Sequence, residues 1–220
     1  ERTSRIVVID HHRRSADFID NAVLTYHEPY ASSASELITE MLQYMDSSIM
    51  LKRIEADALY AGIYLDTKNF SFKTGVRTFE AAAYLKKLGI DTVYIKKLFQ
   101  VDMGTVAKKW RIIENAHFYR NNIVFATCEK SAEDMQTIVA QAADELLNVK
   151  GVTCSFVICQ LGADVTISAR SFGEINVQVI LEKLSGGGHM TMAGAYIKNS
   201  SASDVETQLK NLLDEYLKNK

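Results

Sequence analysis

The chain has 220 residues, enough for one large domain or two small ones and for a substantial buried core. With 47% hydrophobic residues, 24% charged residues and a formal net charge of -2, it reads as an ordinary globular protein, not as a polycation built for long nucleic acid or a membrane surface. No apolar run approaches the ~20 residues that span a bilayer. The three cysteines, Cys128, Cys154 and Cys159, follow no zinc spacing and read as buried thiols of a reducing compartment.

The run Ile6-Val7-Val8-Ile9, closed by Asp10, predicts a short buried strand over 5–10, of the continuous kind that suits a parallel sheet. Residues 33–45, SASELITEMLQYM, place Leu37, Ile38, Met41, Leu42 and Met45 at helical spacing. A second helix fits 51–65, with Ile54, Ala58, Leu59 and Ile63 on one face. A third lies in GVRTFEAAAYLKKLGI, with Phe79, Ala82, Ala83 and Leu85 inward and Gly89 as its stop after Lys86 and Lys87. The pattern stays helical from about 91 to 116, a connection carrying Trp110, Ile112 and Ile113.

The period then changes. NNIVFATC (121–128) predicts a strand after an Asn-Asn turn. An amphipathic helix follows, opened by Ser131 and Asp134 at capping-box-like spacing. VTCSFVICQ and DVTISAR flank Leu161-Gly162-Ala163 and predict a hairpin, INVQVILEKL a short helix, and AGAYI a strand. A closing helix has Ser203 and Glu206 as its capping box. The fold class is therefore α/β in two lobes: a helix-rich α/β segment, then a smaller mixed-sheet α/β segment, with the boundary near residue 117.

Three constellations carry chemistry. Asp10-His11-His12 follows the first strand without a gap. Neighbouring side chains of a strand alternate sides, so three adjacent polar groups fit where the strand ends and the backbone turns, which is where open α/β sheets place their sites. A neutral imidazole there can bind a metal, with Asp10 as acceptor for the ligand's other ring nitrogen, and the second histidine can face a phosphate. The second is GIYLDTKNF (62–70), where Asp66 closes a helical segment; it reads as a structural turn or as a carboxylate partner for His11 at a hard divalent cation. The third is LSGGGHMTMAGA (184–195). Gly186, Gly187 and Gly188 let the backbone approach an anion and present N–H groups, and His189 adds a donor. Arg170 ends an apolar strand with Ser168 on the same face, and reads either as a phosphate fork or as a surface charge. Lys68, Lys73 and Arg77 read as solvated, His27 and His117 as structural or exposed, and Met190 and Met192 as core-facing.

Asp10-His11-His12, then EPYASSASEL, then Asp66, then RS…NVQ…GGGHMTMAGA resembles the DHH phosphoesterase superfamily with its DHH-associated C-terminal domain. The phrases VIDHHRR, EPYASSASELITEMLQY and LDTKNFSFKTGVRTFEAAAYLKKLGID resemble most the C-terminal part of the membrane-anchored bacterial cyclic-di-AMP phosphodiesterases, over nearly the whole chain. The resemblance implies a truncated parallel-sheet DHH domain over 1–98, a helical connector over 99–117 and a DHH-associated substrate-binding domain over 118–220. It implies two manganese ions in the complete protein, in a site between the lobes, with His11 and Asp66 as metal ligands, His12 at the scissile phosphate and Asp10 in support. Ser168, Arg170, Asn176 and Gly186 to His189 would hold the nucleotide.

The implied reaction is metal-assisted hydrolysis of cyclic-di-AMP to the linear dinucleotide, with His12 and Arg170 stabilising charge on the phosphate oxygens. The family's earlier metal-binding segments have no counterpart in this sequence, so the chain is expected to start inside the DHH domain and to be impaired alone. The expected partners are cyclic or short linear dinucleotides, no long nucleic acid, a second copy in a homodimer, and a membrane only through upstream segments of a parent on the cytoplasmic side. Two other readings stay open: a short-oligonucleotide exonuclease or 3′-phosphoadenosine phosphatase of the same superfamily, and a non-catalytic nucleotide-binding module.

Overall fold

The computed structural model describes residues 5–12, 14, 18–45, 50–129 and 135–219. The chain divides into two compact units, Glu1–Gln100 and Val101–Lys220.

In the first unit, strand β1 (Val7–Asp10) pairs in parallel with β2 (Leu24–His27), in a register that sets Asp10 beside His27; the strand is half-buried, with Val7 exposed, and not buried as its apolar run predicts. Four helices follow: α1 (Ala34–Tyr44), α2 (Arg53–Asp66), α3 (Val76–Lys87) and α4 (Thr92–Leu98). Helix α1 starts at Ser33, whose hydroxyl accepts from the Glu36 N–H, and α4 starts at Asp91, which accepts from Val93 and Tyr94. Helix α3 ends as expected, with Gly89 at a φ of +88° just past its last turn. The core is Ala56, Ile63, Ala81, Leu85, Ile90 and Ile95.

The predicted inward faces of α2 and α3 hold at Leu59, Ile63 and Leu85 and fail at other positions. Ile54 is 69% exposed and Ala58 is exposed, while Ala56 and Ile63 are buried. In α3, Ala81 and Leu85 are buried and Phe79 points outward. Alanine is apolar on every face, so the run Ala81-Ala82-Ala83 leaves the phase of the stripe open: Ala81 is the buried one, whereas Ala83, expected inward, is exposed.

The second unit opens with α5 (Met103–Glu114), capped by Asp102, and carries a six-stranded sheet in the order β3-β4-β5-β6-β8-β7. The strands are β3 (His117–Tyr119), β4 (Ile123–Glu129), β5 (Cys154–Leu161), β6 (Asp164–Ser171), β7 (Gly187–His189) and β8 (Met192–Ile197). Only β4 and β5 pair in parallel; the other neighbours are antiparallel, including the expected β5–β6 hairpin. Its helices are α6 (Met135–Leu146), α7 (Val177–Glu182) and α8 (Ala202–Lys218).

Strand alternation feeds two cores. Phe125, Phe156, Ile158 and Ile167 pack with α7 and α8, whereas Val124, Ala126, Val157 and Cys159 pack with α6 and Ile112 of α5. Cys154 and Cys159 are buried, as read from the sequence, and Cys128 is half-buried. Helix α8 begins two residues earlier than expected. Ser201, not Ser203, accepts from the Asp204 N–H at 3.1 Å, and Glu206 instead meets His117 at 3.0 Å. The Ser131 and Asp134 cap of α6 lies outside the described residues. Met190, expected in the core, is half exposed. Among the described residues, no helix is long and apolar enough to cross a membrane.

Candidate functional site

The first cluster forms where β1 ends. His12 turns back on Asp10: its backbone N–H and its Nδ1 both meet Asp10 Oδ1, at 3.0 and 2.7 Å. These contacts, with the backbone bond first, hold the Asp10 carboxyl below its ordinary range. His27, read from the sequence as merely structural or exposed, comes from the paired end of β2 and meets the His12 carbonyl at 2.5 Å. It fixes the turn that aims the two histidine rings, which lie 4.4 Å apart.

His11 is buried. Its Nε2 lies 3.4 Å from Asp66 Oδ2, so the strand end meets the last residue of α2 as the pairing of imidazole with carboxylate required. Burial pushes the His11 pKa down, the charge of His12 adds to this, and Asp66 opposes it. The result is a neutral ring, the form that binds a metal. The Ala31 backbone lies beside this ring, yet His11 Nδ1 is buried without a hydrogen-bond partner among the described residues. With Nε2 turned to Asp66 and the ring set beside the Ala31 backbone, His11 and Asp66 fit one corner of a divalent-cation shell. They do not fit more: among the described residues, no three His, Cys, Asp or Glu side chains converge to hold an ion.

Asp66 is followed by an unusual turn. Lys68, Asn69 and Phe70 take φ values of 47°, 57° and 60°, and Lys73 takes 47°. Left-handed backbone costs an L-residue about 1–2 kcal/mol, somewhat less for Asn. Thr67 holds the turn. Its buried hydroxyl donates to the Ile63 carbonyl at 2.7 Å and accepts from the Phe70 N–H at 2.9 Å, and its carbonyl accepts from Ser71 and Phe72. Arg77, read as solvated, instead clamps Glu40 through Nε and Nη2.

The second cluster lies at one end of the sheet of the second unit. Arg170 is only 12% exposed at its side chain and is largely engaged: Nε donates to Asp144 at 2.6 Å, and Nη1 donates to the Ser168 hydroxyl and the Ala169 carbonyl, both at 2.9 Å. Asn176 caps α7, its Oδ1 accepting from Gln178 and Val179, which leaves its amide NH2 to donate. Backbone bonds from Ser171 to Thr191 and from Val177 to Met190 bring these segments to the β7–β8 hairpin that carries His189.

The triglycine segment is not a loop throughout; Gly187 to His189 form the edge strand β7. Each glycine has a different cause. A Cβ at Gly186 would lie 2.5 Å from the Gly194 carbonyl oxygen, and one at Gly188, where φ is +147°, would collide with Met192. Gly187 alone faces open space. It lines an open groove of about 460 Å³ together with Gly186, Ser168, Thr166, Gln136 and Tyr196. Arg170, Asn176 and His189 do not line that groove.

Residues 1–63 match the DHH family, N-terminal domain, and residues 121–219 match the DHHA1 domain. The chain is 46% identical over 216 residues to the cyclic-di-AMP phosphodiesterase GdpP of Geobacillus thermodenitrificans, covering 98% of this chain and 33% of that protein. It is 45% identical over 220 residues to the cyclic-di-AMP phosphodiesterase PdeA of Listeria monocytogenes, covering 99% of this chain and 33% of that protein. The chain thus spans about a third of the length of these curated relatives. Among solved structures, an exopolyphosphatase-related protein from Bacteroides fragilis shares the fold, with a TM-score of 0.83, 22% identity, and coverage of 97% of this chain and 65% of that one. With the Asp10-His11-His12 turn ending β1 and both domain models matched in order, the chain belongs to the DHH family and carries the DHHA1 domain after it.

Proposed function

We propose that this chain is the DHH–DHHA1 part of a divalent-cation-dependent phosphodiesterase that opens cyclic-di-AMP to the linear dinucleotide. The observation that carries this reading is the meeting of His11 Nε2 and Asp66, with burial pushing the His11 pKa down. His11 and Asp66 would hold a cation, taken to be manganese, as part of a two-ion centre in the complete protein. When bound, such ions supply an activated water and charge neutralisation at phosphorus.

The chain's own residues do the rest. Asp10 accepts from His12 Nδ1 and fixes the ring, so Nε2 is the atom turned to the reaction. It takes a proton as a base or, in the imidazolium, donates to a non-bridging phosphate oxygen. In the second unit, Gly187, the Asn176 amide, His189 and the Nη2 end of Arg170 offer donors to a nucleotide phosphate, while Ser168 positions Arg170. The parent is proposed to be membrane-anchored with this part on the cytoplasmic side, to act as a homodimer, and to take short linear dinucleotides as well.

The test is product analysis with cyclic-di-AMP and manganese, run on this chain beside the longer protein. The longer protein is expected to yield the linear dinucleotide, and His11→Ala or Asp66→Ala within it to abolish turnover while dinucleotide binding largely remains. A faster rate on short linear RNA than on the cyclic dinucleotide would favour the exonuclease reading. The non-catalytic module is the second reading, favoured by the lack of three converging ligands among the described residues. It predicts binding that survives chelation and no product at all.

A further inference from the structure

The first unit holds a second feature that the phosphodiester chemistry leaves unused. A cavity of about 640 Å³ opens beside the turn after Asp66, within the size range of small-ligand sites. Its walls include Pro29, Tyr30, Phe70, Lys73 and Phe79. The aromatic rings are held out to solvent: Tyr30 is 93% exposed and Phe79 is 56% exposed.

The rings are also braced. Phe70 and Phe79 stack at 5.7 Å with planes 16° apart, and Phe70 rests on Tyr60 at 5.7 Å from behind. Phe70 reaches this position only through the left-handed run from Lys68, which the buried Thr67 anchors. The backbone therefore accepts strained residues to keep an aromatic pair at a cavity wall.

The cavity adjoins the metal-ligand candidates. Tyr30 precedes Ala31, whose backbone lies beside the His11 ring, and Lys73 is close enough to His11 for its charge to act on that ring. A flat apolar ligand here would carry its attached phosphate toward Lys73 and the His11–Asp66 pair.

We propose that this cavity is a nucleobase subsite, with Tyr30 and Phe79 stacking on the base and Lys73 facing the phosphate it carries. The inference rests on the phosphodiesterase reading for the choice of a nucleotide as ligand. Stacking on an aromatic ring tolerates any base, so these two rings give affinity for a base as such.

The test is calorimetric binding of AMP and of ribose 5-phosphate to the whole chain, to Tyr30→Ala and to Tyr30→Phe. Tyr30 is so exposed that its replacement should leave the fold intact, which far-UV ellipticity checks. The expected result is that Tyr30→Ala weakens AMP binding by about tenfold, Tyr30→Phe restores it, and ribose 5-phosphate binds alike to all three. Phe79→Ala should reproduce the loss for AMP alone. Undiminished AMP binding by both alanine variants, or no measurable AMP binding by the unaltered chain, would overturn the subsite. Tyr30-dependent AMP binding in a protein whose full-length form leaves cyclic-di-AMP uncut would instead retain the subsite and remove the phosphodiesterase reading.

Discussion

Thr67→Val tests whether the turn after Asp66 is held in its strained form by one hydroxyl. The substitution keeps side-chain volume and removes the Oγ1 atom that joins Ile63 and Phe70. The Ile63 carbonyl keeps a partner, because the Thr67 N–H also donates to it at 3.0 Å. The Phe70 N–H does not. Losing two neutral hydrogen bonds removes ~1–2 kcal/mol, and stranding one amide in a half-buried turn adds ~1–2 kcal/mol. The expected loss is thus ~2–4 kcal/mol, a large part of a domain's ordinary margin. Urea unfolding followed by far-UV ellipticity should show this as a lower midpoint. Hydrogen exchange should quicken at Phe70 first, and then at Ser71 and Phe72, whose acceptor is the Thr67 carbonyl. A loss under ~0.5 kcal/mol with unchanged exchange would refute the argument, because the left-handed run would then be held by something other than Thr67.

Two contrasts follow from the second unit. Gly186→Ala puts a Cβ within 2.5 Å of the Gly194 carbonyl oxygen and 2.9 Å of that of Leu181, and should cost ~1–3 kcal/mol; Gly187→Ala meets nothing within 4 Å and should stay within ~0.5 kcal/mol. Equal melting temperatures for the two variants would contradict the separate roles given to these glycines. Hydrogen bonds from the Tyr119 hydroxyl, then from Arg120, hold the Asp214 carboxyl below its ordinary value of 3.8. A depressed carboxylate contributes stability that is complete above the unfolded value and is lost as pH falls through the folded one. Asp214→Asn should therefore flatten the fall of the melting temperature below about pH 4 and leave its slope near neutrality alone.

The strand into Asp10-His11-His12, the helix ending at Asp66 and the β5–β6 hairpin were legible because each has a clear boundary signal: an apolar run, a change of period or a Gly turn. The pairing of His11 with Asp66 was legible as chemistry, since the two residue types complement each other at a metal. The short strands β2, β3 and β7 were not. Leu24-Thr25-Tyr26-His27, His117-Phe118-Tyr119 and Gly187-Gly188-His189 carry too few residues for a period, and they exist because a neighbour supplies the ladder. His27 was missed for the same reason, as only the register of β1 and β2 brings it to the His12 carbonyl. Phe79 was assigned to the core because sequence cannot distinguish a ring that packs inward from one held at a cavity wall. Arg170 was read as a fork or a surface charge, and its tie to Asp144 comes from α6, 26 positions away in the chain.

The parallel β4–β5 ladder, running from Ile123 beside Cys154 to Glu129 beside Gln160, governs the order in which the second unit can assemble. Adjacent strands of that kind cannot zip up from a tight turn; the segment containing α6 must first cross the sheet. The β5–β6 hairpin can close early around Gly162, whereas β4 must wait for that crossover, so the topology predicts that docking of one strand against a preformed ribbon is the slow step in refolding. Mutations that loosen α6 against β5 should then retard refolding more than mutations at the tip of the hairpin.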